Sequence, residues 1–150
     1  MLSRLTAWLF VIAQFVLIGA VALAPGDHWE RSSWHIAIGA VLVLGAVVLG
    51  IWAARWLGKG LTPLPLPNGR VDLITSGPYR RVRHPIYTAV MLGMAGVTMI
   101  SGTWWSAAAW IGLVVLLTLK AIWEEKHLAA FFSNYEEYRE RTGRFLPRLG

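Results

Sequence analysis

The sequence predicts an all-α integral membrane protein with about four transmembrane helices and a C-terminal amphipathic cytoplasmic helix. Hydrophobic residues make up 56% of the 150 residues and charged residues only 15%, against about 25% charged in an ordinary soluble domain. Four apolar stretches have roughly the length of a membrane span. The net charge of +6 accompanies no polar domain surface, so it indicates membrane topology and excludes a nucleic-acid partner.

The first two spans are residues 5–24 and 34–57. The first contains no charged residue and is longer than the about 7–15 apolar residues of a signal-peptide core. We therefore expect it to remain as a membrane anchor. The second carries Ala46, Gly50 and Ala54 at four-residue spacing, which predicts a small-residue face for close helix packing.

The second half of the chain supplies two more spans and a polar helix. Residues 86–101 form a short span, and residues 104–123 form the fourth. Apolar and aromatic side chains recur every three to four positions through residues 124–142, which predicts an amphipathic helix continuing from the fourth span. A bend near Ser133–Asn134 is required if both ends of that helix are to reach one site, because a straight helix would separate Glu125 from Arg141.

The charges orient these spans. Basic residues dominate the connection at 55–84 and the C-terminal segment. The loop at 25–33 carries Asp27, Glu30 and Arg31, and the turn at 101–103 carries no charge. The positive-inside rule therefore places both termini and the connection in the cytoplasm. The opposite interface would carry an aromatic belt of Trp29, Trp34, Trp104 and Trp105.

Several kinds of site are not supported by the sequence. The chain has no cysteine, so it can form no disulfide, thiolate nucleophile or Cys-type zinc site. It contains no GxGxxG, GxxxxGK[ST] or HExxH motif, so a Rossmann fold, a P-loop or a zincin is not indicated. The four histidines do not cluster at metal-ligand spacing, and we expect no metal.

The stretch GPYRRVRHPIY, residues 77–87, places polar side chains in an otherwise apolar region. Pro85 suits the first position of a helix, where its missing N–H costs nothing. Free backbone donors at such a helix start can hold a small anion such as a carboxylate. We assign Arg80–Arg81 to anchoring, but anchoring requires neither His84 nor Tyr87, so these residues predict a functional site.

An acidic pair, Glu124 and Glu125, stands at the predicted cytoplasmic end of the fourth span. The positive-inside rule gives acidic residues no advantage there. If the helix ended at this point, the carboxylates would also meet an unfavourable helix dipole. The pair therefore predicts a cationic partner, either a protein arginine or a positively charged ligand. Spacing alone assigns no role to Arg141 or Arg144.

The segments TSGPYRRVRHPIY and EEKHLAAFFSNYEEYRERTGRFLPRL together resemble the isoprenylcysteine carboxyl methyltransferase family and its phospholipid methyltransferase relatives. The shared pattern is G-x-Y-x-x-x-R-H-P-x-Y, then a span pair, then E-E-x-x-L-x-x-x-F, Y-x-x-Y and a terminal L-P, over residues 71–150. The resemblance implies methyl transfer from S-adenosylmethionine at the cytoplasmic membrane face, without a Rossmann sheet. A glycine common in the family is Ala89 here, and the small number of spans leaves the acceptor open.

The same resemblance implies roles for individual residues. Residues lining the S-adenosylmethionine pocket would be Leu73, Ile74, Tyr79, His84, Pro85, Tyr87 and Glu125. Arg141 would contact the acceptor and be needed for activity. If the acceptor is an amine, Glu124 or Glu125 becomes the candidate base, whereas an ionised carboxylate needs none.

We therefore expect one domain, residues 1–150, with two N-terminal spans in 1–57, a cytoplasmic connector in 58–84, and a catalytic helical hairpin with its C-terminal helix in 85–150. The expected partners are a lipophilic or prenylated acceptor and membrane lipid. The expected reaction is most like isoprenylcysteine carboxyl O-methylation. The alternatives are phospholipid amine N-methylation, an NADPH-dependent intramembrane reductase and a non-catalytic membrane scaffold.

Overall fold

The computed structural model describes residues 2–23, 25–30, 32–62 and 72–148. Its α-helices are α1 (Leu2–Leu23), α2 (Ser33–Leu57), α3 (Pro85–Ser101), α4 (Trp104–Phe131) and α5 (Tyr135–Arg141). Short 3₁₀ turns occupy Gly58–Gly60 and Gly77–Arg80. Residues 63–71 of the predicted connector lie outside the described residues.

Three helices, α1, α2 and α4, are long and apolar enough to cross a membrane, and α3 is a shorter apolar helix. Their outer faces expose large apolar side chains, including Phe15 at 61% and Val41 at 69%. Contiguous apolar surface of this extent is rare on soluble monomers and marks contact with a membrane or a partner. The predicted all-α membrane fold is confirmed, and the chain is a multi-pass membrane protein.

Helix α2 packs against α3, and α1 packs against α4. Glycines bring α2 and α3 into close approach. A Cβ on Gly96 would lie 2.5 Å from the carbonyl oxygen of Gly39, and a Cβ on Gly39 would lie 2.7 Å from Cγ1 of Ile100. Both distances are shorter than real Cβ contacts, so the helix pair requires glycine at these two positions.

The remainder of this interface uses the small-residue face predicted on α2, with one difference. Ala46 is buried, and Gly50 faces Ala89 across the interface. The face continues to Ala53, which is 0% exposed, while Ala54 is only half-buried. Steps of four residues rotate by about 40° around a helix, whereas a step of seven, from 46 to 53, returns within about 20°.

Replacing Gly39 with alanine is expected to lower the free energy of unfolding by about 1–3 kcal/mol, because the added methyl overpacks the α2–α3 contact. The matched control is Gly45→Ala in the same helix, where a Cβ would meet nothing within 4 Å. Both changes add the same helix propensity. Thermal unfolding in detergent should separate the two variants, and equal midpoints would contradict the close approach.

At one end of the bundle, the loop after α1 meets the turn between α3 and α4. His28 and Thr103 form an isolated β-bridge, and the N–H of Trp29 donates to the carbonyl of Gly102 at 2.8 Å. The rings of Trp29 and Trp104 lie 5.2 Å apart. The loop after α1 and the turn between α3 and α4 therefore share one end of the bundle, and the polar cluster described below lies at the other.

The prediction of a single unbroken amphipathic helix over residues 124–142 is wrong. Helix α4 continues unbroken to Phe131, and α5 begins only at Tyr135. Phe132 adopts extended backbone, with φ −111° and ψ 118°, and residues 133–134 complete the turn. The bend expected near Ser133–Asn134 is present, and it returns the chain after α5 to the start of α3.

Candidate functional site

The site begins at the turn that precedes α3. Gly77 has φ +59°, a conformation that strains other residues, and a Cβ there would lie 2.5 Å from the indole of Trp56. Pro85 starts α3, and His84 is its N-cap residue. This compact turn packs on α2 and presents the side chains of Arg83 and His84 to α4.

Glu125 of α4 is the centre of the polar cluster, with a side chain only 5% exposed. Its Oε1 accepts hydrogen bonds from Nε of Arg83 at 3.1 Å, Nε2 of His84 at 3.2 Å and Nε of Arg144 at 3.0 Å. Nη2 of Arg144 donates to Oε2 at 2.9 Å. This two-point contact raises the pKa of Arg144. Two protein arginines are therefore the cationic partners of Glu125.

Arg83 also binds the backbone at the end of α5. Its Nη1 donates to the carbonyl oxygen of Arg139 at 3.0 Å and to the carbonyl oxygen of Thr142. The hydroxyl of Thr142 turns back to the carbonyl of Tyr138 at 2.6 Å. One guanidinium thus joins α4, through Glu125, to the last turn of α5.

The backbone after α5 pairs with the backbone before α3. Val82 and Gly143 form a parallel bridge, in which the N–H of Arg83 donates to the carbonyl of Gly143 at 2.9 Å. The N–H of His84 donates to the carbonyl of Arg144 at 3.0 Å. This pairing fixes the position from which Arg144 reaches Glu125.

Glu124 lies on the other side of His84 and accepts fewer hydrogen bonds than Glu125 does. The hydroxyl of Tyr87 donates to its Oε2 at 2.7 Å, and Nδ1 of His84 lies 3.8 Å from the same oxygen. The rings of His84 and Tyr87 are nearly parallel, at 9° and 5.2 Å. Buried Lys120 lies 5.1 Å from the Tyr87 ring centre and donates to Gln14. The Glu124 side chain is 23% exposed, so its carboxylate can meet a ligand.

Two tyrosines of α5 close the cluster. The hydroxyl of Tyr138 donates to the carbonyl of Tyr79 at 2.7 Å. Tyr135 is 1% exposed, and its buried hydroxyl has no hydrogen-bond partner within residues 2–23, 25–30, 32–62 and 72–148. Burial, and then the charge of Glu125, raise the pKa of Tyr135, so this phenol is a neutral donor. Buried donors are normally paired, so this unpaired hydroxyl is a candidate contact for a ligand oxygen.

Of the residues predicted to bind a cofactor, the structure brings His84, Tyr87 and Glu125 into this cluster. Pro85 lies beside them as the buried first residue of α3. The remaining three are Tyr79, which is buried and contributes its carbonyl to Tyr138, and Leu73 and Ile74, which are half-buried in the segment before the turn.

Arg141 is not part of this cluster in the structure. Its side chain is 67% exposed, and its guanidinium lies 3.5 Å from Glu137 on the same helix. The guanidinium that reaches Glu125 is that of Arg144, and sequence reasoning assigned it no role. Arg83 was also missed. Arg83 is the arginine of the quoted R-H-P pattern, but no individual role was predicted for it.

A sequence model for phospholipid methyltransferase matches residues 34–135, from the first turn of α2 to the start of α5. The chain belongs to the phospholipid methyltransferase family. The resemblance predicted from the two motifs is confirmed, and the match reaches α2, which the motifs did not include. The matched residues include Arg83, His84 and Glu125.

Three relatives are similar over much of the chain. The cobalt-zinc-cadmium resistance protein CzcN of Cupriavidus metallidurans is 31% identical over 97% of this chain and 64% of its own length. The nickel-cobalt-cadmium resistance protein NccN of Alcaligenes xylosoxydans xylosoxydans is 26% identical over 97% of this chain and 65% of its own. The uncharacterized protein YpbQ of Bacillus subtilis is 28% identical over 68% and 61%. This phospholipid methyltransferase family member thus spans slightly less than two thirds of each relative.

Two of these relatives are named for metal resistance, so metal ligands are relevant to this chain. Within the described parts of the chain, no group of three or more His, Asp or Glu residues is placed to hold a metal ion. The acidic residues of the cluster bind arginine, histidine and tyrosine side chains.

Proposed function

We propose that this protein is an S-adenosylmethionine-dependent methyltransferase that acts on a lipophilic acceptor at the cytoplasmic membrane face. The observation that carries the proposal is the buried Glu125 carboxylate. It joins the turn before α3, α4 and the segment after α5 around a single polar site. Family membership supports methyl transfer as the reaction.

The side chains present fit S-adenosylmethionine, which carries a sulfonium, an ammonium and a carboxylate group. The partly exposed Glu124 carboxylate suits the cationic groups, and the unpaired Tyr135 hydroxyl suits a carboxylate or ribose oxygen. The parallel rings of His84 and Tyr87 suit an aromatic base. Apolar contacts with the bound cofactor would come from Leu73, Ile74, Tyr79 and Pro85.

When bound, S-adenosylmethionine supplies a methyl group already activated on sulfur. The protein therefore has to position the reactants and exclude water. Glu125 accepts four hydrogen bonds from Arg83, His84 and Arg144, which suits it to hold the site together. Glu124 accepts one, from Tyr87, and we assign it the proton-accepting role that an amine acceptor would require.

Two acceptor classes follow from these assignments. A carboxylate, as in isoprenylcysteine O-methylation, is already ionised and needs no base, and Arg141 at the cytoplasmic surface would orient it. An amine, as in phospholipid N-methylation, needs Glu124. The apolar tail of either acceptor would enter between the helices from the lipid.

The test is transfer of a radiolabelled methyl group from S-adenosylmethionine to a prenylated cysteine analogue or to phosphatidylethanolamine. We expect label in an organic-soluble product. Alkali should release it as methanol from a carboxyl ester but not from an N-methyl amine. At saturating S-adenosylmethionine, Glu124→Gln should abolish N-methylation and leave the rate of ester formation nearly unchanged. The absence of label from both acceptors and from total membrane lipid would contradict the proposal.

We also propose that the site faces the cytoplasm, with both termini inside. The chain has no native cysteine, so single cysteines at exposed Asp27 and Ser133 report their sides without background. An impermeant maleimide added to intact cells should label Asp27→Cys, and Ser133→Cys should react only after permeabilisation. Labelling of Ser133→Cys in intact cells would overturn the orientation.

A further inference from the structure

A cavity of about 550 Å³ lies on the α2 side of the turn that precedes α3. Its walls come from α2, the 3₁₀ turn, the first turn of α3 and the segment after α5. This volume is within the roughly 300–1,000 Å³ of small-molecule sites. The polar side chains of the Glu125 cluster do not line it. Of the residues assigned to the cofactor, only Pro85 lies in its wall, so the cavity adjoins the proposed methyl-transfer site without including its polar groups.

The cavity combines apolar walls with two cationic side chains. Leu49 and Trp52 form the wall on α2, Phe145 adds an aromatic surface, and Arg80 and Arg81 contribute guanidinium groups. Both arginines are exposed, and neither forms an ion pair with an acidic residue in the described parts of the chain. Charge complementarity therefore favours a ligand with an apolar body and an anionic head.

The position of the cavity indicates where that ligand comes from. Trp52 and Leu49 lie within the last three turns of α2, a helix that spans the membrane and ends at Leu57. The cavity is therefore at the depth where lipid headgroups meet acyl chains. Anionic headgroups are attracted to clustered basic residues at such a surface.

We propose that this cavity binds an anionic membrane lipid, with its acyl chain against Leu49, Trp52 and Phe145 and its phosphate at Arg80 and Arg81. The bound lipid contacts α2, the start of α3 and the segment after α5 at once. Phe145 directly follows Arg144, and its ring lies 6.1 Å from the His84 ring. The lipid therefore stabilises the docking of the segment that supplies Arg144 to Glu125.

The experiment is a native mass-spectrometric titration of the full chain in detergent with phosphatidylglycerol. The variant is Arg80→Gln with Arg81→Gln. The control, Arg55→Gln with Arg139→Gln, removes the same charge from exposed positions that do not line the cavity. We expect the variant to bind phosphatidylglycerol about thirtyfold more weakly, and the control to bind within about twofold of the original chain.

Four further comparisons test the assignment. Leu49→Trp, which fills the apolar wall and keeps both arginines, should also weaken binding, and soluble glycerol phosphate should bind far more weakly than the lipid. Any of three results would overturn the assignment. Phosphatidylcholine or glycerol phosphate could bind as tightly as phosphatidylglycerol, or the arginine variant could bind phosphatidylglycerol as tightly as the original chain does. In lipid-free detergent, the arginine variant should bind S-adenosylhomocysteine as tightly as the original chain does. If the variant lost affinity for both the lipid and S-adenosylhomocysteine, the turn would be damaged, which would contradict a separate lipid site.

Discussion

Replacing Glu125 with alanine is expected to weaken S-adenosylhomocysteine binding by at least about thirtyfold and to lower the free energy of unfolding by about 3–5 kcal/mol. The change removes the acceptor of four hydrogen bonds. It leaves the Arg83 guanidinium, which is only 9% exposed, without its carboxylate. Calorimetric titration and thermal unfolding measure the two effects separately.

Glu125→Gln serves as the companion variant, since it keeps the shape of the side chain and removes the charge. It should fold and still bind S-adenosylhomocysteine poorly. The control is Glu136→Ala, because the Glu136–Arg139 pair is more than half exposed and is worth no more than about 1 kcal/mol. If both Glu125 variants bound the ligand as well as Glu136→Ala, Glu125 would not organise the site.

The second large effect separates Arg144 from Arg141. Arg144→Ala should greatly weaken S-adenosylhomocysteine binding, because it removes the two-point contact with Glu125. Arg141→Ala should leave that affinity within about twofold, since its guanidinium is largely exposed. Methyl transfer by Arg141→Ala should nevertheless fall about a hundredfold if the guanidinium orients the acceptor.

Lysine at position 141 should restore little activity, because a point charge does not reproduce the planar pair of donors in arginine. Binding titrations measure the cofactor affinity, and initial rates on the same preparations measure methyl transfer, so the two effects are separated. Loss of ligand binding in Arg141→Ala, together with unchanged binding in Arg144→Ala, would reverse the two roles.

The spans were predictable from the sequence because length and hydropathy alone define them. The predicted 34–57 and 86–101 differ from α2 and α3 by one residue at the start. The division at Phe132 was not predictable from periodicity, because the spacing of Leu128, Phe131 and Phe132 is equally consistent with an unbroken helix. The break is evident only in the extended backbone of Phe132.

The site was predicted in part. His84, Tyr87 and the acidic pair are distinctive because neither anchoring nor topology requires them. Arg83 and Arg144 were hidden, since basic residues near a membrane surface are adequately explained by the positive-inside rule. Their partnership with Glu125 depends on the bridge between Val82 and Gly143, a pairing of residues distant in sequence that no local pattern reports.

Calorimetric titration of the detergent-solubilised protein with S-adenosylmethionine and S-adenosylhomocysteine tests the central claim most directly. We predict micromolar binding of both ligands, about −7 to −8 kcal/mol, and no heat with NADPH. The absence of heat with both sulfur ligands would contradict the account, and NADPH binding in their place would favour a reductase.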